Sequence, residues 1–130
     1  MLLGELVTTF GWRLRIQGDV NPRSVANFPV QANGAEMLRL ACCMATEQGI
    51  RVCAPVHDAL LVEGPAEKIE EVVGQTQAVM EEAGHLVLGG FGLRSDAEIV
   101  TWPDRYVDKR GELMWHTVLG IANAESDSRV

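Results

Sequence analysis

The sequence predicts an α+β fold, an antiparallel sheet with helices packed on one face. Two pairs of short β-forming runs sit close enough to make hairpins, and two long stretches with helical periodicity stand between and after them. Leu6-Val7-Thr8-Thr9-Phe10 is rich in β-formers, Gly11 breaks it, and Arg13-Leu14-Arg15-Ile16 alternates polar and apolar, as in a hairpin with one wet face. Gly18, Asp19, Asn21 and Pro22 mark a loop over 17–23. From about Val30 to Gln48 the pattern is helical, with Met37, Leu38, Ala41, Met44 and Ala45 on one side and Gly49 as the stop. Ile50–Val56 and Ala59–Val62 are apolar runs joined by His57-Asp58, which predicts a tight hairpin whose turn residues are unusual for that geometry.

Pro65 opens a second helix, expected over 65–84. Glu67, Glu70 and Glu71 suit its positive end. Ile69, Val72, Val73, Thr76, Val79, Met80 and Ala83 form its apolar stripe, and Gly84 its expected end. Leu86–Leu88 and Leu93–Val100 are further strand candidates around Gly89-Gly90-Phe91-Gly92. Residues 102–108 read as irregular and Gly111–Leu119 as a short helix. The expected organisation is a single domain over 1–122 followed by a disordered tail, 123–130.

The chain has 130 residues, 47% apolar, with 11 Lys plus Arg against 18 Asp plus Glu, a net charge of −7. Such a composition excludes wholesale disorder, and no apolar run is long enough to span a bilayer. The N-terminus lacks the basic region of a secretory signal, so a cytoplasmic location is expected. Residues 1–60 carry five basic and five acidic side chains, and the remaining six basic and 13 acidic place the whole negative charge in the second half. A local Arg-bearing face can therefore meet phosphate while the far side stays acidic. Cys42, Cys43 and Cys53 form neither an even set nor a Cys-x-x-Cys pair, and they read as buried, reduced thiols. Trp12, Trp102, Tyr106 and Trp115 are scattered and read as packing anchors rather than a stacking platform.

Two groups of residues could carry chemistry. Asp58, at a hairpin tip beside His57, could offer hard carboxylate oxygens to a divalent metal, or the pair could be a solvated turn. His85 and His116 lack the spacing that a His-Asp phosphohydrolase would need. Arg23, Asn27 and Gln31 are each four apart. On a helix they would share a face and suit phosphate and base-edge contacts, or they could be a polar helix start with a capping Asn. Pro29 predicts that Asn27 and Phe28 are loop or helix entry. Gly89-Gly90-Phe91-Gly92 lacks the Lys-Ser/Thr of a phosphate-binding loop.

In order along the chain, three segments resemble the C-terminal part of the family A DNA polymerases, the bacterial polymerase I family. Thr9-Phe10-Gly11-Trp12-Arg13-Leu14 is similar to that family's Thr-x-x-Gly-Arg-Arg hairpin. Arg23-x-x-x-Asn27-x-Pro29-x-Gln31, with Ala35 and Glu36, resembles the opening of its long palm helix. Val56-His57-Asp58 followed by Leu60-Leu61-Val62-Glu63 resembles its last catalytic palm motif. The resemblance covers roughly 8–116 and implies a palm-like sheet backed by helices. It implies nucleotidyl transfer to a primer 3′-hydroxyl with two Mg²⁺ ions about 3.5–4 Å apart. Asp58 would be a metal ligand, His57 would lie near the primer terminus, and Arg23, Asn27 and Gln31 would bind primer–template DNA.

Two departures accompany the resemblance. Ala59 stands where the family usually has Glu, and strand alternation puts Glu63 on the opposite face from Asp58. The family's other metal-binding Asp and its fingers helix would precede residue 8. The expectation is therefore a fragment, a split-polymerase subunit served by a separate chain, or a non-catalytic remnant that binds DNA or protein. Self-association through an uncovered sheet edge is also expected.

Overall fold

The computed structural model describes residues 4–18 and 20–127, so Asp19 of the expected loop and the last three residues of the expected tail lie outside the described part. The fold is α+β, with two small antiparallel sheets and three α-helices. The chain divides into two compact units, Met1–Ala97 and Glu98–Val130, a boundary that falls inside the single domain expected over 1–122.

In the first unit, β1 (Glu5–Val7) pairs antiparallel with β2 (Arg13–Arg15), Leu6 opposite Leu14. Helix α1 then runs Pro22–Glu47. The hairpin β3 (Arg51–Val56) and β4 (Ala59–Glu63) follows, and a short 3₁₀ turn, Ala66–Lys68, leads into α2 (Ile69–Val87). The β strands form two separate two-stranded sheets. Helix α1 is the hub, since β1, the β3–β4 hairpin and α2 all pack against it. The core lies there, built from Ala41 and Ala45 of α1, Ile50, and Val79 and Ala83 of α2. Alanines at the crossing let the two helix backbones approach closely, and Val52, Leu60 and Val62 cover the cluster from the hairpin.

Helix α1 begins eight residues before the periodic pattern does. Pro22 occupies its first turn, where a missing N–H is harmless, and the Asn21 side chain accepts from the Arg23 backbone N–H at 2.9 Å. The expectation that Pro29 leaves Asn27 and Phe28 outside the helix is corrected, because Pro29 lies within α1. A proline φ is already helical, and the sacrifice is the one hydrogen bond its N–H would have given the Val25 carbonyl.

The end of α1 agrees with the sequence. Gly49 takes φ +80, its N–H reaches the Thr46 carbonyl at 3.0 Å, and the Ile50 N–H reaches Ala45 at 2.9 Å. These are the two bonds of a Schellman cap, and they swing Ile50 into the core. In α2 the apolar stripe is placed as expected, with Thr76, Val79, Ala83 and Val87 buried. Gly84 does not end this helix. It is buried inside α2, and the stop is Gly89 and Gly90 with φ +63 and +101. Leu86–Leu88 accordingly finish the helix, and Leu93–Val100 form no strand. An apolar run becomes a strand only beside a partner that takes its hydrogen bonds, and none of the described strands flanks this segment.

Glycine therefore acts oppositely at two positions. Gly49→Ala is expected to destabilise by about 1 kcal/mol, through the left-handed backbone. Gly74→Ala, in the exposed middle of α2 with open space around its Cα, is expected to stabilise by about 0.5–1 kcal/mol. Urea midpoints of the two variants check both signs.

The second unit holds an irregular stretch and α3, Glu112–Asp127, which extends beyond the expected short helix and through residues 123–127 of the expected tail. Before it, the Asp108 carboxylate accepts from the Arg110 backbone N–H and guanidinium, which hold its pKa below the ordinary carboxylate value. No helix among the described residues is long and apolar enough to cross a membrane.

Two expectations about buried side chains are corrected. Only Cys42 is half-buried, which raises its thiol pKa first through desolvation and then through neighbouring Cys43. Cys43 and Cys53 are exposed; all three thiols are free. The aromatics are not packing anchors: Trp12, Trp102, Tyr106 and Trp115 are 60–83% exposed.

Candidate nucleic-acid interface and hairpin tip

Arg23, Asn27 and Gln31 all lie on α1 and are exposed. Steps of four residues turn about 40° and rise about 6 Å, so the three form a ridge about 12 Å long. Among the described residues, none of their side chains has a hydrogen-bond or ion-pair partner, so one cation and two amides face solvent together. The helical continuity through Pro29 makes this ridge; a loop over 23–28 would have scattered it.

His57 and Asp58 form the two-residue turn between β3 and β4, where Val56 pairs with Ala59. Both are exposed and, among the described residues, neither side chain is engaged. His57 has φ +56, a left-handed backbone that favours glycine. Strain of this kind persists where the surroundings hold it, here a hairpin of six- and five-residue strands. His57→Gly is expected to raise stability by about 0.5–1 kcal/mol, the left-handed strain relieved less the entropy glycine loses. Thermal melts read this directly, and an unchanged or lower melting temperature would contradict it.

Glu63 is held at the opposite end of the hairpin, its carboxylate 2.7 Å from the Arg51 guanidinium. Five residue steps along β4 separate it from Asp58, about 16 Å of chain. Among the described residues no group of three or more His, Cys, Asp or Glu gathers as a metal site. Asp58 thus fits one ligand of a hard cation such as Mg²⁺, and the donor set does not fit a whole site.

The structure also builds a feature that sequence reasoning passed over. Glu36, on α1, is 3% exposed and accepts from the Thr8 hydroxyl and from the Phe10 backbone N–H at 3.1 Å. The Thr8 hydroxyl in turn accepts from the Trp12 N–H at 2.9 Å. Thr9 adds a bond from its N–H to Asn33 and one from its hydroxyl to the Val87 carbonyl, at 3.3 and 3.1 Å. The β1–β2 connection is therefore fastened to both α1 and α2. Glu36 stands in the segment read as a motif, but only its distant acceptor geometry reveals its role.

The chain is similar to DNA polymerase I of Deinococcus radiodurans, 36% identical over 78 residues, which are 57% of this chain and 8% of that protein. It is 34% identical over 94 residues to the thermostable DNA polymerase I of Thermus thermophilus, 62% of this chain and 11% of the relative. Against the thermostable DNA polymerase I of Thermus aquaticus it is 33% identical over 73 residues, 53% and 9%. The chain thus spans about a tenth of the length of the curated relatives it matches. No family model matches it, and no solved structure does.

Proposed function

This chain is related to the family A DNA polymerases, and from that kinship we propose that it forms the primer–template-binding part of a polymerase palm. The observation that carries the reading is the unpartnered ridge of Arg23, Asn27 and Gln31 on α1. Arg23 meets a backbone phosphate with its guanidinium, while the Asn27 and Gln31 amides donate to and accept from base edges. The β3–β4 hairpin presents His57 to the primer terminus and Asp58 as one carboxylate of a Mg²⁺ site. Such ions would supply charge neutralisation at the transferred phosphate. The other carboxylate and the nucleotide-gripping helix belong to a separate polymerase segment, and the reading carries with it a cytoplasmic place of action.

A second reading, a non-catalytic palm remnant that binds DNA or protein, is favoured by Asp58 belonging to no group of three or more His, Cys, Asp or Glu among the described residues. The first reading expects primed-duplex binding, and so does the second where its ligand is DNA. They also expect no primer extension by the purified chain with nucleotides and Mg²⁺, since one carboxylate cannot form a two-metal clamp. Fluorescence anisotropy on a primed duplex at low salt tests the DNA reading, and absence of binding there would overturn it. Robust extension that disappears in Asp58→Ala would instead overturn the incompleteness of the site. Extension restored only when a polymerase fragment carrying the other palm carboxylate is added would separate the first reading from the second.

A further inference from the structure

The turn from Thr8 to Trp12 exposes two aromatic side chains, Phe10 at 49% and Trp12 at 64%. We propose that this turn is a stacking site for an unpaired DNA base, positioned to take a single-stranded overhang. The proposal rests on the DNA-binding reading above and adds a ligand class and a location to it.

Rigidity is the first argument. All five consecutive backbone N–H groups of the turn donate: Thr8 to the Trp12 carbonyl, Thr9 to Asn33, Phe10 to Glu36, Gly11 to the Thr8 carbonyl and Trp12 to the Thr8 hydroxyl. Gly11, at φ +88, makes the reversal. The turn is thus held by a hydrogen bond from each of these N–H groups, while both rings keep about half or more of their surface exposed. Large apolar side chains on a fixed backbone give contact area with little ordering penalty on binding. Every base offers a π-face to such rings.

Charge is the second argument. Arg13 and Arg15 leave the turn along β2, both exposed, in the half of the chain that is electrically neutral. Arg13 also bonds Glu5 at 3.1 Å, while Arg15 has no partner among the described residues. Arginine beside an exposed aromatic suits a base and its adjoining phosphate.

The test uses a chain with Trp102→Phe and Trp115→Phe, so that Trp12 is the one remaining indole. Titration with an eight-nucleotide oligo-dT is expected to quench its fluorescence, with loss of the effect at high salt. Anisotropy then compares a primed duplex carrying a 5′ overhang with a blunt duplex. Trp12→Ala is expected to weaken overhang binding about tenfold and leave blunt-duplex binding unchanged, while Trp12→Phe restores most of the loss. Arg23→Ala should weaken both substrates. Because the turn is fastened through backbone groups, Trp12→Ala keeps the fold, which circular dichroism verifies. Equal overhang affinity in Trp12→Ala and the parent, with Arg23→Ala still impaired, overturns the stacking site and spares the DNA reading. No binding by any variant overturns both.

Discussion

Glu36→Ala is expected to lower stability by about 3 kcal/mol, the largest effect of any polar substitution considered for this chain. The carboxylate is 3% exposed and accepts from the Thr8 hydroxyl and the Phe10 N–H. Alanine leaves both donors without their acceptor, and Thr8 is itself only 6% exposed, so water cannot readily replace the lost oxygen. Each bond to a charged acceptor contributes about 1.5–3 kcal/mol, and two that share one group do not add fully. For a chain of this size the loss corresponds to a melting temperature lower by about 10 °C. Glu36→Gln retains one acceptor oxygen and should lose about half as much. Thr8→Val should be similarly damaging, because it removes a donor to Glu36 and the acceptor of the Trp12 N–H. Urea unfolding of the three variants decides the matter, and a loss below about 0.5 kcal/mol for Glu36→Ala would show that the β1–β2 connection does not depend on this carboxylate.

Arg23→Ala is expected to weaken binding to a primed duplex about tenfold, the loss of one charge-assisted contact. Each phosphate neutralised contributes about −0.9 to the slope of log affinity against log salt. The parent slope should be no steeper than about −3, since few cations share the ridge and a net charge of −7 opposes approach. Arg23→Ala should make that slope shallower by about one phosphate. Arg94→Ala, in the acidic half and outside the matched motif, should leave affinity and slope unchanged. Asn27→Ala and Gln31→Ala should weaken binding with no change of slope, because neutral amides release no counterions. A salt series measured by anisotropy distinguishes these cases. Equal losses for Arg23→Ala and Arg94→Ala would mean that the ridge is not the contact surface.

The hairpin at 51–63, the apolar stripe of α2 and the Gly49 cap were legible in the sequence because each depends on neighbours within a few residues. Alternation, a 3.6-residue period and a left-handed glycine are local signals, and local geometry answers them. The same reasoning placed Arg23, Asn27 and Gln31 four apart, and placed Asp58 at a hairpin tip. It failed where a local rule was outweighed. Pro29 argued that Asn27 and Phe28 are loop or helix entry, yet Pro22 and the Asn21 cap start α1 before them, at the sacrifice of one bond.

What the sequence alone determined is both hairpins, the helices that follow them and the order of their motifs, though not the strands expected at 86–88 and 93–100. The tertiary structure decided which polar groups are spent and which are free. Glu36 and Arg23 are both charged residues on α1, but Glu36 turns toward Thr8, 28 residues away, and is consumed in holding a turn. Among the described residues Arg23 meets no acceptor and stays available. Glu63, read as a carboxylate near the catalytic motif, is engaged by Arg51 across the hairpin. Phe10 and Trp12, chemically suited to a core, stand about half or more exposed on a turn whose backbone N–H groups are all bonded. The physical reason is common to all four. A helix or strand follows from the periodicity of nearby residues, whereas a side chain's partner is chosen by which distant segments the packing brings within hydrogen-bond reach.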